Sequence, residues 1–156
     1  MSKTSLHEEL KSWLIEIGKS SDYLKSYSGD SKWLNIQFGK WQDVYQPDVI
    51  WKYRGGICVF EIAFTEGWRE VAGEICLASM VEDCTQIFII SQSSENPEAT
   101  EIYENRWKKY VSMIGKKVGL KYGAELTFIL YTIWKEERVE EIKKVILNRL
   151  KKRECI

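Results

Sequence analysis

Two acids, Asp48 and Glu61, stand where their side chains can meet, and carboxylates that meet either hold a cation or share a proton. Asp48 follows Pro47 and opens the run Val49-Ile50-Trp51-Lys52-Tyr53-Arg54. Glu61 ends the run Ile57-Cys58-Val59-Phe60 and precedes Ile62-Ala63. Both runs are rich in β-branched and aromatic residues and flank Gly55-Gly56, a dipeptide suited to the positive φ angles of a two-residue turn. The stretch is therefore expected to be a β-hairpin. A turn at Gly55-Gly56 pairs Arg54 with Ile57, which sets Asp48 opposite Ala63 and diagonal to Glu61, with both acids on one face. Diagonal neighbours sit roughly 7–8 Å apart, so both carboxylates can reach one ion between them. Hard oxygen ligands suit magnesium (Mg2+) or manganese (Mn2+). The competing reading is two acids on a solvated sheet face.

The elements around the hairpin follow from periodicity. Ser5 and Glu8 have the spacing of a capping box, and Leu6, Leu10, Trp13, Leu14 and Ile17 follow at helical spacing, so residues 5–18 are expected to form an amphipathic helix ending at Gly18. Residues 19–31 are polar and suit a loop. Residues 32–38 alternate and suit a first strand, and the hairpin occupies about 44–54 and 57–64. A second helix is expected at about 67–83, with Val71, Ile75, Ala78 and Val81 on one stripe. Ile87-Phe88-Ile89-Ile90 suits a buried strand, 91–97 a loop, 98–118 a third helix, 125–134 a strand, and 135–152 a charged helix with Val139, Ile142, Ile146 and Leu150 inward. The whole, residues 1–156, reads as a single α/β domain with a central mixed sheet flanked by helices.

Pro47-Asp48, a gap, then Glu61-Ile62-Ala63 on the next strand resembles the PD-(D/E)xK nuclease superfamily, the restriction-endonuclease-like fold. The expected element order, an αβββαβ core followed by helix, strand and helix, resembles that family over about residues 5–132. The resemblance implies a divergent metal-dependent nuclease hydrolysing phosphodiester bonds. Asp48 and Glu61 would ligate Mg2+ or Mn2+ with the Ile62 carbonyl. It implies nucleic acid as partner, DNA ahead of RNA, and a homodimer or larger complex for members that cut both strands. Some members add a glutamate from the first helix, and Glu9, beside the apolar stripe, is the candidate; Glu8 is explained by capping.

The departure is Ala63, which stands where the family carries a lysine that helps to activate water and to stabilise the phosphate. Either another cation replaces it or the site is inactive. Lys52 shares a face with Asp48 but lies four residues away, roughly 13 Å by strand rise. Arg69, in the first turn of the second helix, is the rival, and as an arginine it can stabilise charge but not accept a proton. If neither serves, the chain is a catalytically inactive member of the same fold, acting as a nucleic-acid-binding or protein-interaction subunit. An accidental motif on an unrelated α/β interaction protein is the third reading.

Charge gives no global hold on nucleic acid, since 23 Lys and Arg balance 23 Asp and Glu. A local patch remains: Arg106, Lys108, Lys109, Lys116 and Lys117 occur without an intervening acid, beside Trp107 and Tyr110. Acids at 95, 98, 101 and 104 precede them, so complementing a helix dipole explains the run equally well. No apolar run reaches the length of about twenty residues that a membrane span needs, and no signal-peptide core opens the sequence. The four cysteines lack CxxC spacing and suit reduced core packing, so a cytoplasmic protein is expected. The single histidine, His7, has no ligand partner at a recognisable spacing and suits a surface position. No phosphate-cradling glycine loop, zinc cluster or nucleophile elbow is present.

Overall fold

A computed structural model describes residues 3–20, 25–28, 47–53, 55–63, 68–92, 105–106, 109, 113, 125–131 and 139–156. Helix α1 (Lys3–Lys19) comes first, then strands β1 (Lys25–Ser28), β2 (Val49–Tyr53) and β3 (Gly56–Ala63). Helix α2 (Trp68–Ser79), strands β4 (Cys84–Gln92) and β5 (Glu125–Tyr131), and helix α3 (Val139–Lys152) complete the described elements. Residues 105, 106, 109 and 113 are helical, inside the segment expected as a helix over 98–118.

The strands lie in the order β1-β2-β3-β4-β5 in one five-stranded sheet. β1 and β2 pair antiparallel, as do β2 and β3, whereas β3–β4 and β4–β5 pair parallel. The chain is thus α/β with a mixed sheet, as expected. Both faces of the sheet are covered, which is why β3 and β4 read as near-continuous apolar runs. Val49, Trp51, Cys58, Phe60, Ile62, Phe88 and Ile90 pack with Leu6, Leu10 and Leu14 of α1 and with Ile142, Ile146 and Leu150 of α3. The alternate residues Ile50, Ile57, Val59, Ala63, Ile87 and Ile89 pack with Val71, Ile75 and Ala78 of α2. Trp51 anchors the first layer: its ring centroid is 4.6 Å from that of Phe60, and its Nε1–H donates to the Leu14 carbonyl of α1 at 3.0 Å.

Helix α2 ends at Ser79, short of the expected 83, and three further expectations change. The first strand expected at 32–38 lies outside the described residues, while β1 forms from Lys25-Ser26-Tyr27-Ser28, inside the expected loop. An edge strand needs only backbone pairing on one side, so a short polar tetrapeptide serves without any apolar alternation to announce it. Helix α1 includes Lys3, so Ser5 lies inside it and is not its cap. The hairpin register also differs. Tyr53, not Arg54, begins the pairing, with Gly56 rather than Ile57 as its partner, and Val49 pairs with Phe60. Continued by one residue, that register sets Asp48 directly opposite Glu61 instead of diagonal to it. The shift of two residues preserves the shared face.

Gly56 explains the shift. It is a paired strand residue with φ of 132°, and a Cβ there would lie 2.6 Å from the Asp83 carbonyl oxygen and 2.8 Å from Thr85 Cγ2. That close approach lets the Ile57 N–H donate to the Asp83 carbonyl at 2.8 Å, joining the start of β3 to the turn that begins β4. The Tyr53 and Thr85 hydroxyls add a hydrogen bond of 2.6 Å at the same end. Beyond α3, Glu154 takes a left-handed φ of 57°, the Glu154 N–H donates to the Lys151 carbonyl at 3.0 Å, and the Cys155 N–H donates to the Leu150 carbonyl at 2.9 Å. This is a Schellman motif, and its apolar contact is supplied by Leu150 and Cys155 in one core cluster. Arg153 Nη1 meets Glu125 Oε2 of β5 at 2.7 Å. Gly56→Ala is expected to destabilise the fold by about 2–4 kcal/mol, since both the backbone angle and the space exclude a methyl group. Urea unfolding of the variant measures it; a loss within the error of the wild type would mean that this end of β3 is loosely held.

Candidate functional site

β3 ends in Glu61-Ile62-Ala63, and β2 begins just after Pro47-Asp48, so the acids meet at one end of the hairpin. Asp48 is half-buried, and its Oδ2 accepts the Ile62 N–H at 2.8 Å. Pairing of β2 with β3 runs from Val49–Phe60 to Tyr53–Gly56, so this side chain continues the ladder past the start of β2. On its other side the Asp48 carboxylate faces α1: His7 Nε2 lies 3.2 Å from Oδ1. His7 Nδ1 in turn lies 3.4 Å from Glu8 Oε1. Both ring nitrogens face carboxylates, the arrangement an imidazolium satisfies with its two N–H donors.

Electrostatics agree from both partners. The hydrogen bond to Asp48 raises the His7 pKa above its ordinary 6.5 against the opposing effect of burial, with the Asp48 charge and Glu8 adding to the rise. For Asp48, burial pushes the pKa up, but hydrogen bonds from His7 and the Ile62 N–H, the His7 charge and a hydrogen bond with Glu61 outweigh it, and the carboxyl is held below its ordinary 3.8. Glu61 is only 4% exposed, on a strand paired on both sides, with Ile89 of β4 as its partner there. Alternation along β3 places it on the α2 face, between Val59 and Ala63. The β2–β3 register brings Glu61 to the same end of the hairpin as Asp48, and Glu61 is among the groups that lower the Asp48 pKa. Two carboxyl groups in contact need a proton or a cation between them.

The remaining expected site residues separate into groups. Ile62 is at the site, its N–H on Asp48. Glu9 lies two residues beyond His7 and so on the opposite flank of the apolar stripe of α1. There its Oε1 meets Lys143 Nζ of α3 at 3.1 Å, with Glu140 Oε1 at 3.3 Å from the same ammonium and Trp13 beneath it. Of the polar residues flanking that stripe, His7 meets the acids and Glu9 ties α1 to α3. Lys52 is exposed and pairs with Ile57, toward the opposite end of β2 from Asp48. Arg69 is exposed in the first turn of α2. Ala63 is 1% exposed and belongs to the apolar cluster beneath α2. Arg106 and Lys109 are helical and exposed, and Lys108, Lys116 and Lys117 lie outside the described residues.

His7 is the site residue that sequence reasoning misses. Its signal was positional: it follows Leu6 and precedes Leu10 by three, so it borders the buried stripe and can reach the sheet. Among the described residues no group of three or more His, Cys, Asp and Glu side chains is gathered to hold a metal ion. The two carboxyl groups still fit magnesium or manganese, because such ions keep several waters and are commonly held by one or two carboxylates together with substrate phosphates. Comparison with known proteins adds no relative: no family model matches the chain, and neither curated proteins nor solved structures give a match.

The His7–Asp48 pair gives a pH signature. His7 binds its proton more tightly when folded, so its contribution is complete below pH 6.5 and fades as pH rises through its raised folded value. Asp48 contributes fully above 3.8 and loses that contribution as pH falls through its lowered folded value. The stability difference between wild type and His7→Gln should therefore be largest between the ordinary values 3.8 and 6.5 and should shrink as pH rises above 6.5 through the raised His7 value, as read from urea unfolding. A difference that stays constant across that range would mean that His7 is neutral and makes no ion pair.

Proposed function

We propose that this protein is a divergent metal-dependent nuclease with a restriction-endonuclease-like arrangement of its α/β fold. The observation that carries the reading is the placement of Asp48, held by the Ile62 N–H, and the buried Glu61 where β2 and β3 end together. The order α1-β1-β2-β3-α2-β4, with β3 antiparallel to β2 and parallel to β4, supports it. Asp48 and Glu61 would supply carboxylate oxygens and Ile62 its carbonyl. Magnesium or manganese, when bound, lowers the pKa of its water and neutralises charge developing on a phosphate. The Ile62 N–H fixes one oxygen of Asp48 and His7 the other, so that carboxylate is oriented and ionised at neutral pH. The substrate class is nucleic acid, DNA ahead of RNA, with Arg106, Lys108, Lys109, Lys116 and Lys117 as the phosphate-contacting surface.

One observation favours a second reading, an inactive binding subunit of the same fold. Ala63 lies in an apolar cluster, so its position brings no cation to the acids. Losing one such group costs on the order of 10²–10³ in rate when nothing replaces it.

Purified protein is expected to bind manganese, read by calorimetry, and to cleave DNA or RNA slowly in its presence. Asp48→Asn or Glu61→Gln should abolish both, and Ala63→Lys should raise the rate of cleavage. Manganese binding without cleavage by either the wild type or Ala63→Lys selects the binding subunit. Absence of manganese binding rejects the metal site. Changing the five basic residues to glutamine should reduce the salt dependence of nucleic-acid binding by about 0.9 in log–log slope per lost contact on duplex DNA, or about 0.7 on a single strand. An unchanged slope would assign the segment to the helix dipole.

A further inference from the structure

Away from the acids, two polar side chains lie buried where β4 and β5 begin to pair. Gln86 is 7% exposed and Thr127 is 4% exposed. The strands run parallel, with Gln86 opposite Glu125 and Phe88 opposite Thr127. Opposed residues share a face and alternate residues return to it, so all four side chains face the layer of α1 and α3, to which Phe88 belongs. The Gln86 amide reaches across to β5. Its Nε2 donates to Glu125 Oε2 at 3.2 Å, and the same oxygen accepts from Arg153 Nη1 at 2.7 Å. A carboxylate oxygen can only accept, so the nitrogen of the amide is the atom that must face it. Gln86 Oε1 is thereby committed to the other direction, where it is buried and no donor among the described residues reaches it. The Thr127 hydroxyl, two residues along β5 from Glu125, is likewise buried with no partner among the described residues. We propose that Gln86 Oε1 and Thr127 Oγ1 hold one water molecule between them, an internal site that joins β4 to β5 inward of the Arg153–Glu125 pair.

The chemistry of the two atoms selects the occupant. Gln86 Oε1 accepts only, so its ligand must donate, which excludes an anion without protons. A metal cation would meet two neutral oxygens close to the Arg153 guanidinium, and the nearest carboxylate oxygen, Glu125 Oε2, already takes two donors. Water satisfies both atoms: it donates to the Gln86 carbonyl, and the Thr127 hydroxyl can give it a proton or take one. The reach is sufficient. Alternate residues of a strand lie about 6.6 Å apart by rise, and two hydrogen bonds through a water span about 5.5 Å, so an amide held over Glu125 is within such a bridge of Thr127. A continuous path of hydrogen bonds then runs from Arg153, just beyond α3, through Glu125 and Gln86 to the water and Thr127. It fixes the first rungs of the β4–β5 ladder, which begins at the Gln86–Glu125 pair. A buried acceptor left without a donor is costly to a fold, and internal water is the usual means of meeting that cost.

A high-resolution crystal structure of the whole chain tests the site. One ordered water is expected at about 2.7–3.2 Å from both Gln86 Oε1 and Thr127 Oγ1. The same water should persist in Thr127→Ser, which keeps the hydroxyl, and vanish from Thr127→Val. A direct hydrogen bond between the two side chains, a donor from another part of the chain on Gln86 Oε1, or a water on only one of the two atoms would overturn the assignment. Urea unfolding gives a second readout. Gln86→Met and Thr127→Val should each lower the folding equilibrium constant by on the order of tenfold. The double variant should lose about the same factor and not about a hundredfold, because either change releases the one shared water. Losses that multiply would mean that the side chains act separately and would reject the bridge. The crystal structure of the unmutated protein decides the question even where a variant fails to fold.

Discussion

β3 is hydrogen-bonded along both edges, antiparallel to β2 and parallel to β4, and the arrangement of the rest follows from that double pairing. A strand fixed on both sides has no freedom to slip, because a slip of one residue would exchange its two faces. Its alternate residues therefore divide the core: Cys58, Phe60 and Ile62 belong to the layer under α1 and α3, and Ile57, Val59 and Ala63 to the layer under α2. The same constraint fixes Glu61. Its backbone is held by two neighbours, so the carboxyl meets Asp48 as a consequence of sheet register and not of side-chain choice.

Helix α1 is coupled to that frame in three chemically different ways. Its leucines pack on the sheet, the Leu14 carbonyl takes the indole N–H of Trp51, and His7 reaches Asp48. Its opposite flank joins α3 through Glu9 and Lys143. The Asp48 carboxylate is consequently positioned from the helix and from β3 together, and a shift in either would be felt at the acid pair.

Much of this was legible in the sequence because apolar periodicity follows burial. The stripes of α1, α2 and α3 and the apolar runs of β3 and β4 each state which faces are covered. β1 was not legible, because Lys25-Ser26-Tyr27-Ser28 is an edge tetrapeptide paired with β2 and carries no apolar alternation. The hairpin register was misplaced because Gly56 looks like a turn residue, yet its freedom serves a close approach to the Asp83 carbonyl. Asp48 and Glu61 were brought to one end of the hairpin, since an error of two residues leaves the alternation of β2 and β3 intact. His7 and Glu9 were exchanged in importance because both border the same stripe, and their partners, Asp48 and Lys143, lie on distant segments that no local spacing reveals. The exposure of Lys52 and the burial of Ala63 likewise follow from packing between elements.

Glu61 also bears on how this chain can change over generations. A buried carboxyl in an otherwise apolar layer costs about 1–3 kcal/mol unless its polar atoms are well satisfied. Folded proteins hold only a modest reserve above the threshold at which they fail, so any part of that cost left uncompensated is drawn from this reserve. The reserve it consumes must be supplied by layers such as those of Trp51, Phe60 and Phe88, so tolerance for substitutions in those layers is correspondingly narrow.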